Sequence, residues 1–139
     1  MSDLAAVRVS ITVKVDPDTA FAVFTEEIDQ WYRQGLGSPT TLRFEPGVGG
    51  RLLEVGPDNG PEEERARVTV WEPGQRLVFV DWRDTEVDIR FEAAAEGATR
   101  VVLEHRGLDR VPPDVAVNLA KYGWRRLTQW FERHMEERR

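Results

Sequence analysis

Any chemistry in this chain has to come from a short set of side chains. Two histidines are present, His105 and His134. His105 shares strand parity with Val101 and Leu103, an apolar set that looks inward. An imidazole on the wall of an apolar site can serve as a general base or as a hydrogen-bond partner. The structural alternative is a buried histidine bonded to backbone. Trp31, Tyr32, Trp71, Trp82 and Trp124 form a second set. Flat apolar rings with one polar handle suit aromatic or hydrophobic ligands. Core packing is the competing use, and the one favoured for Trp124 and Trp130. Arg51, Glu54, Arg67, Asp81 and Arg90 lie in strand-like segments whose facing is not settled by pattern. Any of them pointing inward would need a partner or a polar ligand; the alternative is a solvated outer face. Arg51 follows the Gly49-Gly50 turn, which places it at the mouth of a cavity. The run Glu62-Glu63-Glu64 reads as a solvated tip.

Other chemistries are excluded by residues the chain lacks. It has no cysteine, which removes disulfides, thiolate catalysis and cysteine metal sites. Two histidines do not supply a multi-imidazole zinc site, so neither a metal nor a cofactor is expected. No glycine-rich phosphate loop, G-x-S-x-G elbow or His-x-x-x-His pair occurs. The serines are Ser2, Ser10 and Ser38, none placed as a nucleophile. A net charge of −6 over 139 residues repels nucleic acid. The start, MSDLAAVRVS, has no signal-peptide pattern, and no run nears the ~18 apolar residues of a membrane span. Membrane insertion is not expected, and the expected location is the cytoplasm.

The elements that position these groups follow from periodicity. The length suits one domain covering residues 1–139. Residues 7–15 alternate strictly, with Val7, Val9, Ile11, Val13 and Val15 on one face, and predict a half-buried strand. Asp16 caps a helix with Pro17 at its first position. Its apolar residues Ala20, Phe21, Phe24 and Ile28 fall at helical spacing, and Trp31 and Tyr32 close the segment. Residues 33–39 are a loop. The period then drops to two. Six strands follow over 41–45, 51–55, 64–71, 76–82, 85–93 and 100–106, with Val87, Ile89 and Phe91 on one face. Pro112, Pro113 and Asp114 open the last element, a helix of roughly 25 residues and nearly 40 Å. Winding at about 100° per residue sets Ala116, Leu119, Ala120, Gly123, Trp124, Leu127, Trp130, Phe131 and His134 on one arc.

The expected class is therefore α+β. A curved antiparallel sheet of six to seven strands wraps a long C-terminal helix, with short helices between the first two strands. A curved sheet and a straight helix meet along a line, so a gap between them is the natural consequence. Gly123, within the buried arc, allows close approach or leaves space there.

The same residues carry a resemblance. Asp16-Pro17-Asp18 with Phe21, Phe24 and Trp31 comes first. Pro46-Gly47, Gly49-Gly50-Arg51, Val68 to Pro73 and Arg76 to Phe79 follow in order. Gly97 to Val101 with His105, and Gly123-Trp124 with Leu127, complete the pattern. Together they resemble the START-like helix-grip (SRPBCC) superfamily, within it the branch similar to the activator of heat-shock protein ninety ATPase. The resemblance implies a hydrophobic cavity between sheet and helix, in a superfamily of lipid carriers, polyketide cyclases and aromatases, and co-chaperone domains.

The first expectation is a binding module for a small hydrophobic or aromatic molecule. Its wall would comprise Trp31, Tyr32, Arg51, Phe79, Trp82, Ile89, Phe91, Leu103, His105, Gly123, Trp124 and Leu127. The second is a cyclase- or aromatase-like enzyme with His105, or an inward acid, moving a proton. The third is an interaction domain whose partner is a chaperone or a second copy of the chain.

Overall fold

The computed structural model describes residues 6–32, 40–58, 60–81, 83–119 and 124–137, and the side chain of Leu127 lies outside that description. Strand β1 spans Ala6–Val13, and helices α1 (Pro17–Glu26) and α2 (Ile28–Trp31) follow it. Then come β2 (Thr41–Phe44), β3 (Arg51–Val55), β4 (Glu62–Glu72), β5 (Arg76–Asp81), β6 (Glu86–Ala93) and β7 (Thr99–Arg106). Helical segments α3 (Pro113–Asn118) and α4 (Trp124–Glu137) end the chain.

The seven strands form one curled antiparallel sheet in the order β1-β7-β6-β5-β4-β3-β2. The meander from β2 to β7 uses local hairpins only. β1 then closes on the last strand, with Val7 opposite His105 and Val13 opposite Thr99. Thr99 reinforces that closure, because its Oγ1 donates to the Val15 carbonyl at 2.7 Å.

Local signals act where expected. Asp16 caps α1, accepting from the Thr19 backbone at 3.3 Å and its hydroxyl at 2.6 Å, with Pro17 starting the helix. Asp29 of α2 accepts from the Leu42 N–H at 2.9 Å, which ties the helical insert to β2. Glu62, Glu63 and Glu64 depart from expectation. They are exposed, but they form the start of β4, opposite Val55, Glu54 and Leu53. Arg43, Arg65 and Arg67 pair with them in turn. Two of these pairs lie within β4 and the third reaches β2, and the backbone pairing with β3 makes a strand of what composition alone reads as a tip.

The expected C-terminal helix is described as two segments, and α4 alone runs about 21 Å. Its Trp124, Phe131, His134 and Met135 are buried, while Arg125, Gln129, Glu132, Arg133 and Glu136 are exposed. α4 packs on β1 and α2. One aromatic cluster joins the helices to the sheet. Phe24 stands 4.9 Å from Trp31 and 5.4 Å from Phe131 between ring centres, and Phe21 packs edge-on against Trp71 and Phe91. The core lies on the concave side of the sheet, on the faces carrying Val87, Ile89 and Phe91 and Val101 and Leu103.

Candidate ligand cavity

A cavity of about 520 Å³ opens beside that core. Its helical wall is Phe24, Ile28, Trp31 and Tyr32, and its sheet wall includes Leu42, Leu52, Phe79, Val87 and His105. Leu119, Trp124, Arg126 and Trp130 complete it from the C-terminal side. Trp31 is fully buried, and its indole N–H donates to the Phe24 carbonyl at 3.3 Å. Tyr32 and Trp130 stand edge to face at 5.8 Å. Trp31 and His105 lie deep, whereas exposed Arg126 and partly exposed Arg65 mark where the cavity meets solvent.

His105 has both ring nitrogens engaged. The Trp124 indole Nε1 donates to His105 Nδ1 at 2.8 Å. An indole nitrogen only donates, so Nδ1 carries no proton. Nε2 then holds the ring's hydrogen and donates to Thr85 Oγ1 at 2.6 Å. The ring is neutral in this arrangement. Burial pushes its pKa from 6.5 down to about 4; Asp81 opposes the shift and Arg83 adds to it. Both bonds run to side chains and not to backbone.

The β5–β6 turn aims Thr85. Asp81 Oδ1 accepts from the backbone N–H of Arg83 at 2.9 Å and of Thr85 at 3.1 Å. Asp84 takes a left-handed φ of 62°, a conformation that a short polar residue tolerates. Asp81 thus folds the turn and faces the cavity at once. Arg83 lies beside it at 3.3 Å and also lines the cavity.

A second acid–arginine pair sits across the wall. Glu54 accepts from Thr40 Oγ1 at 2.6 Å and from Arg65 Nε at 2.9 Å. Arg65 reaches the cavity because of a bulge. Leu52 pairs with Ala66 and Leu53 with Glu64, leaving Arg65 as the extra residue between them. Both Arg65 and Ala66 then line the same space, as two adjacent residues do at a bulge.

Of the residues expected on the wall, Trp31, Tyr32, Phe79, His105 and Trp124 line the cavity. Ile89, Phe91 and Leu103 are on the same concave face but are buried in the core outside the lining. Arg51 is elsewhere. It alternates with Leu52, which lines the cavity, so its own side chain leaves by the opposite face. There it forms a paired contact with Glu45, Nε to Oε1 and Nη2 to Oε2, each 2.7 Å. That guanidinium holds Glu45 down at about 2. Trp82 and Gly123 lie outside the described residues, as does the side chain of Leu127. Glu54, Arg65, Asp81, Arg83, Arg126 and Trp130 join the wall unexpectedly. Of these, Glu54 and Asp81 lie in strands whose facing the sequence pattern does not settle; Leu53 and Val55 are buried on the other face of β3.

No protein-family profile matches the sequence, and no curated protein matches it. Solved structures do. Protein MLL2253 from Mesorhizobium loti superposes with a TM-score of 0.71 at 21% identity, covering 96% of this chain and 98% of that one. Protein NE0264 from Nitrosomonas europaea gives 0.73 at 12% identity over 100% and 99%. An AHSA1-like protein from Aeromonas hydrophila gives 0.66 at 21% identity over 94% and 93%. At these identities the likeness is one of fold. The chain has the α+β helix-grip fold, a curled seven-stranded sheet with a C-terminal helix.

Proposed function

We propose that this protein binds one small hydrophobic or aromatic molecule in the cavity between the sheet and the C-terminal segment. The observation that carries the reading is the wall itself: Trp31, Trp124 and Trp130 with Phe79 around about 520 Å³. That volume suits a small organic ligand. At ~25 cal/mol per Å² of apolar surface, a ligand withdrawing about 300 Å² from water gains roughly 7 kcal/mol before association costs. Micromolar binding takes about 8 kcal/mol net, so polar contacts on the wall must add to the apolar burial. No helix of the described residues is long and apolar enough to cross a membrane.

The test is native mass spectrometry of the protein from its own host, with the denatured extract analysed for small molecules. A reproducible apolar or aromatic mass supports the reading. An empty protein that gains no thermal stability from a broad hydrophobic library overturns it.

One observation favours a second reading, catalysis in the same cavity. Glu54 and Asp81 both line it, so two carboxylates converge where a cyclase-like reaction would need proton transfer. In that reading His105 would have to release Trp124 before its Nδ1 could take a proton. Turnover that survives His105→Gln would assign the proton transfer to the carboxylates. The interaction-domain alternative has less to stand on. Val48 is the large hydrophobic side chain exposed among the described residues, and one valine does not make a docking patch.

A further inference from the structure

We infer that the ligand is a monoanionic amphiphile, a carboxylic acid on an apolar body; this rests on the binding reading above and narrows it. The protein carries a net charge of −6, yet the cavity wall is locally cationic. Its charged members among the described residues are Arg65, Arg83 and Arg126 against Glu54 and Asp81. His105 adds nothing, because its Nδ1 is held unprotonated by the Trp124 indole.

Two of the arginines stand beside the two acids, Arg65 on Glu54 at 2.9 Å and Arg83 on Asp81 at 3.3 Å. Arg126 is exposed on α4 and makes no ion pair among the described residues. Among the described residues of the wall, Arg126 is therefore the cation with no acid beside it, and it is exposed to solvent. The same wall carries buried apolar side chains, Trp31, Phe79 and Val87. A ligand that satisfies both features has an apolar body within the cavity and one negative charge where Arg126 meets solvent. One uncompensated guanidinium matches one carboxylate, which it can hold through two parallel hydrogen bonds. A dianionic head would leave excess negative charge beside Glu54 and Asp81.

The probes are isosteric pairs: naphthylacetate with naphthylacetamide, and decanoate with decanamide. Binding is read at neutral pH by calorimetry and by quenching of the indoles that line the cavity. The expected result is an acid bound about tenfold more tightly than its amide, in at least one pair. Arg126→Gln should bring that ratio close to one while leaving the amide affinity within about twofold, and Arg126→Lys should keep part of the preference. Arg126 is exposed, so neither variant threatens the fold. Amides that bind as well as acids, or a preference unchanged in Arg126→Gln, overturn the anion assignment and leave hydrophobic binding standing. If neither member of either pair binds, the binding reading fails, and the anion assignment with it.

Discussion

Trp124 and His105 are joined edge to edge, the indole Nε1 donating to the imidazole Nδ1 at 2.8 Å with ring centres 5.3 Å apart. The contact links the first residue of α4 to the inner face of β7. It fixes the histidine's tautomer, and it holds the helix to the sheet at the cavity wall.

Burial of this histidine makes stability depend on pH. An unfolded histidine titrates at 6.5, whereas folded His105 titrates at about 4. Between those values the unfolded chain binds a proton that the native state excludes. Stability is therefore full above about pH 7 and falls as pH drops toward 4, by roughly 3 kcal/mol over the window. Urea denaturation of the wild type and His105→Gln across this range checks it. The variant should lose most of the slope, and parallel curves would refute the assignment.

Trp124→Phe keeps the apolar ring and removes the donor. Nδ1 of His105 is then left buried without its partner, at a cost of about 1–3 kcal/mol. The imidazole should also titrate at higher pH, since Nδ1 is no longer occupied. Histidine proton NMR and chemical denaturation would read the two effects separately.

Phe131 and Trp130 are neighbours with different work. Phe131 is 1% exposed between Trp31 and Phe24, while Trp130 is partly exposed on the cavity wall. Phe131→Ala should cost about 3–5 kcal/mol of stability. Trp130→Ala should cost much less and weaken ligand binding instead. A thermal melt and a binding titration on each variant separate them.

On the convex face, Asp88 is 3% exposed between Arg76 at 2.8 Å and Arg106 at 3.1 Å. Burial alone would raise its pKa, but the two guanidinium groups outweigh burial and hold it below the usual carboxylate value. Asp88→Ala removes the acid that Arg76 and Arg106 share, but both guanidinium groups are partly exposed and Arg106 keeps Glu86 and Glu104, so the loss should be about 1 kcal/mol. A denaturation midpoint close to wild type would show that the cluster contributes little.

Gly50 ends the β2–β3 turn, where an added Cβ would run into the Glu45 carbonyl oxygen and press on that of Gly47 at 2.9 Å. Those atoms are backbone and cannot swing aside. Gly50→Ala should cost about 2 kcal/mol or more, while Gly97→Ala, with open space around its Cβ, reports only the cost of its left-handed φ.

The concave face was legible because Val87, Ile89 and Phe91 alternate with charged residues along β6. They face His105, Leu103 and Val101 of β7 in that order. The polar wall was not legible in the same way. Arg65 turns inward at a bulge, an extra residue that defeats counting by twos. Asp81 stands at the last position of β5, where strand parity gives way to turn geometry. Nearness to the Gly49-Gly50 turn suggests the cavity mouth for Arg51, but nearness in sequence says nothing about which face a side chain takes. His105 was singled out for what a free imidazole can do. Its partners, Thr85 and Trp124, are about twenty residues away on either side, and no local pattern announces them.

The place of β1 in the sheet bears on how the molecule assembles. β2 to β7 can zip together from neighbouring hairpins as the chain emerges, but β1 has no partner until β7 exists, because Ala6 pairs with Arg106 and Val13 with Thr99. The first strand made is thus the last one seated, and its docking closes a loop of most of the chain, the slow kind of contact in folding. Until then β7 presents an open edge. A synthetic peptide carrying residues 6–13 could occupy that edge in a chain lacking its own β1, turning the final folding step into a binding reaction that can be timed by mixing.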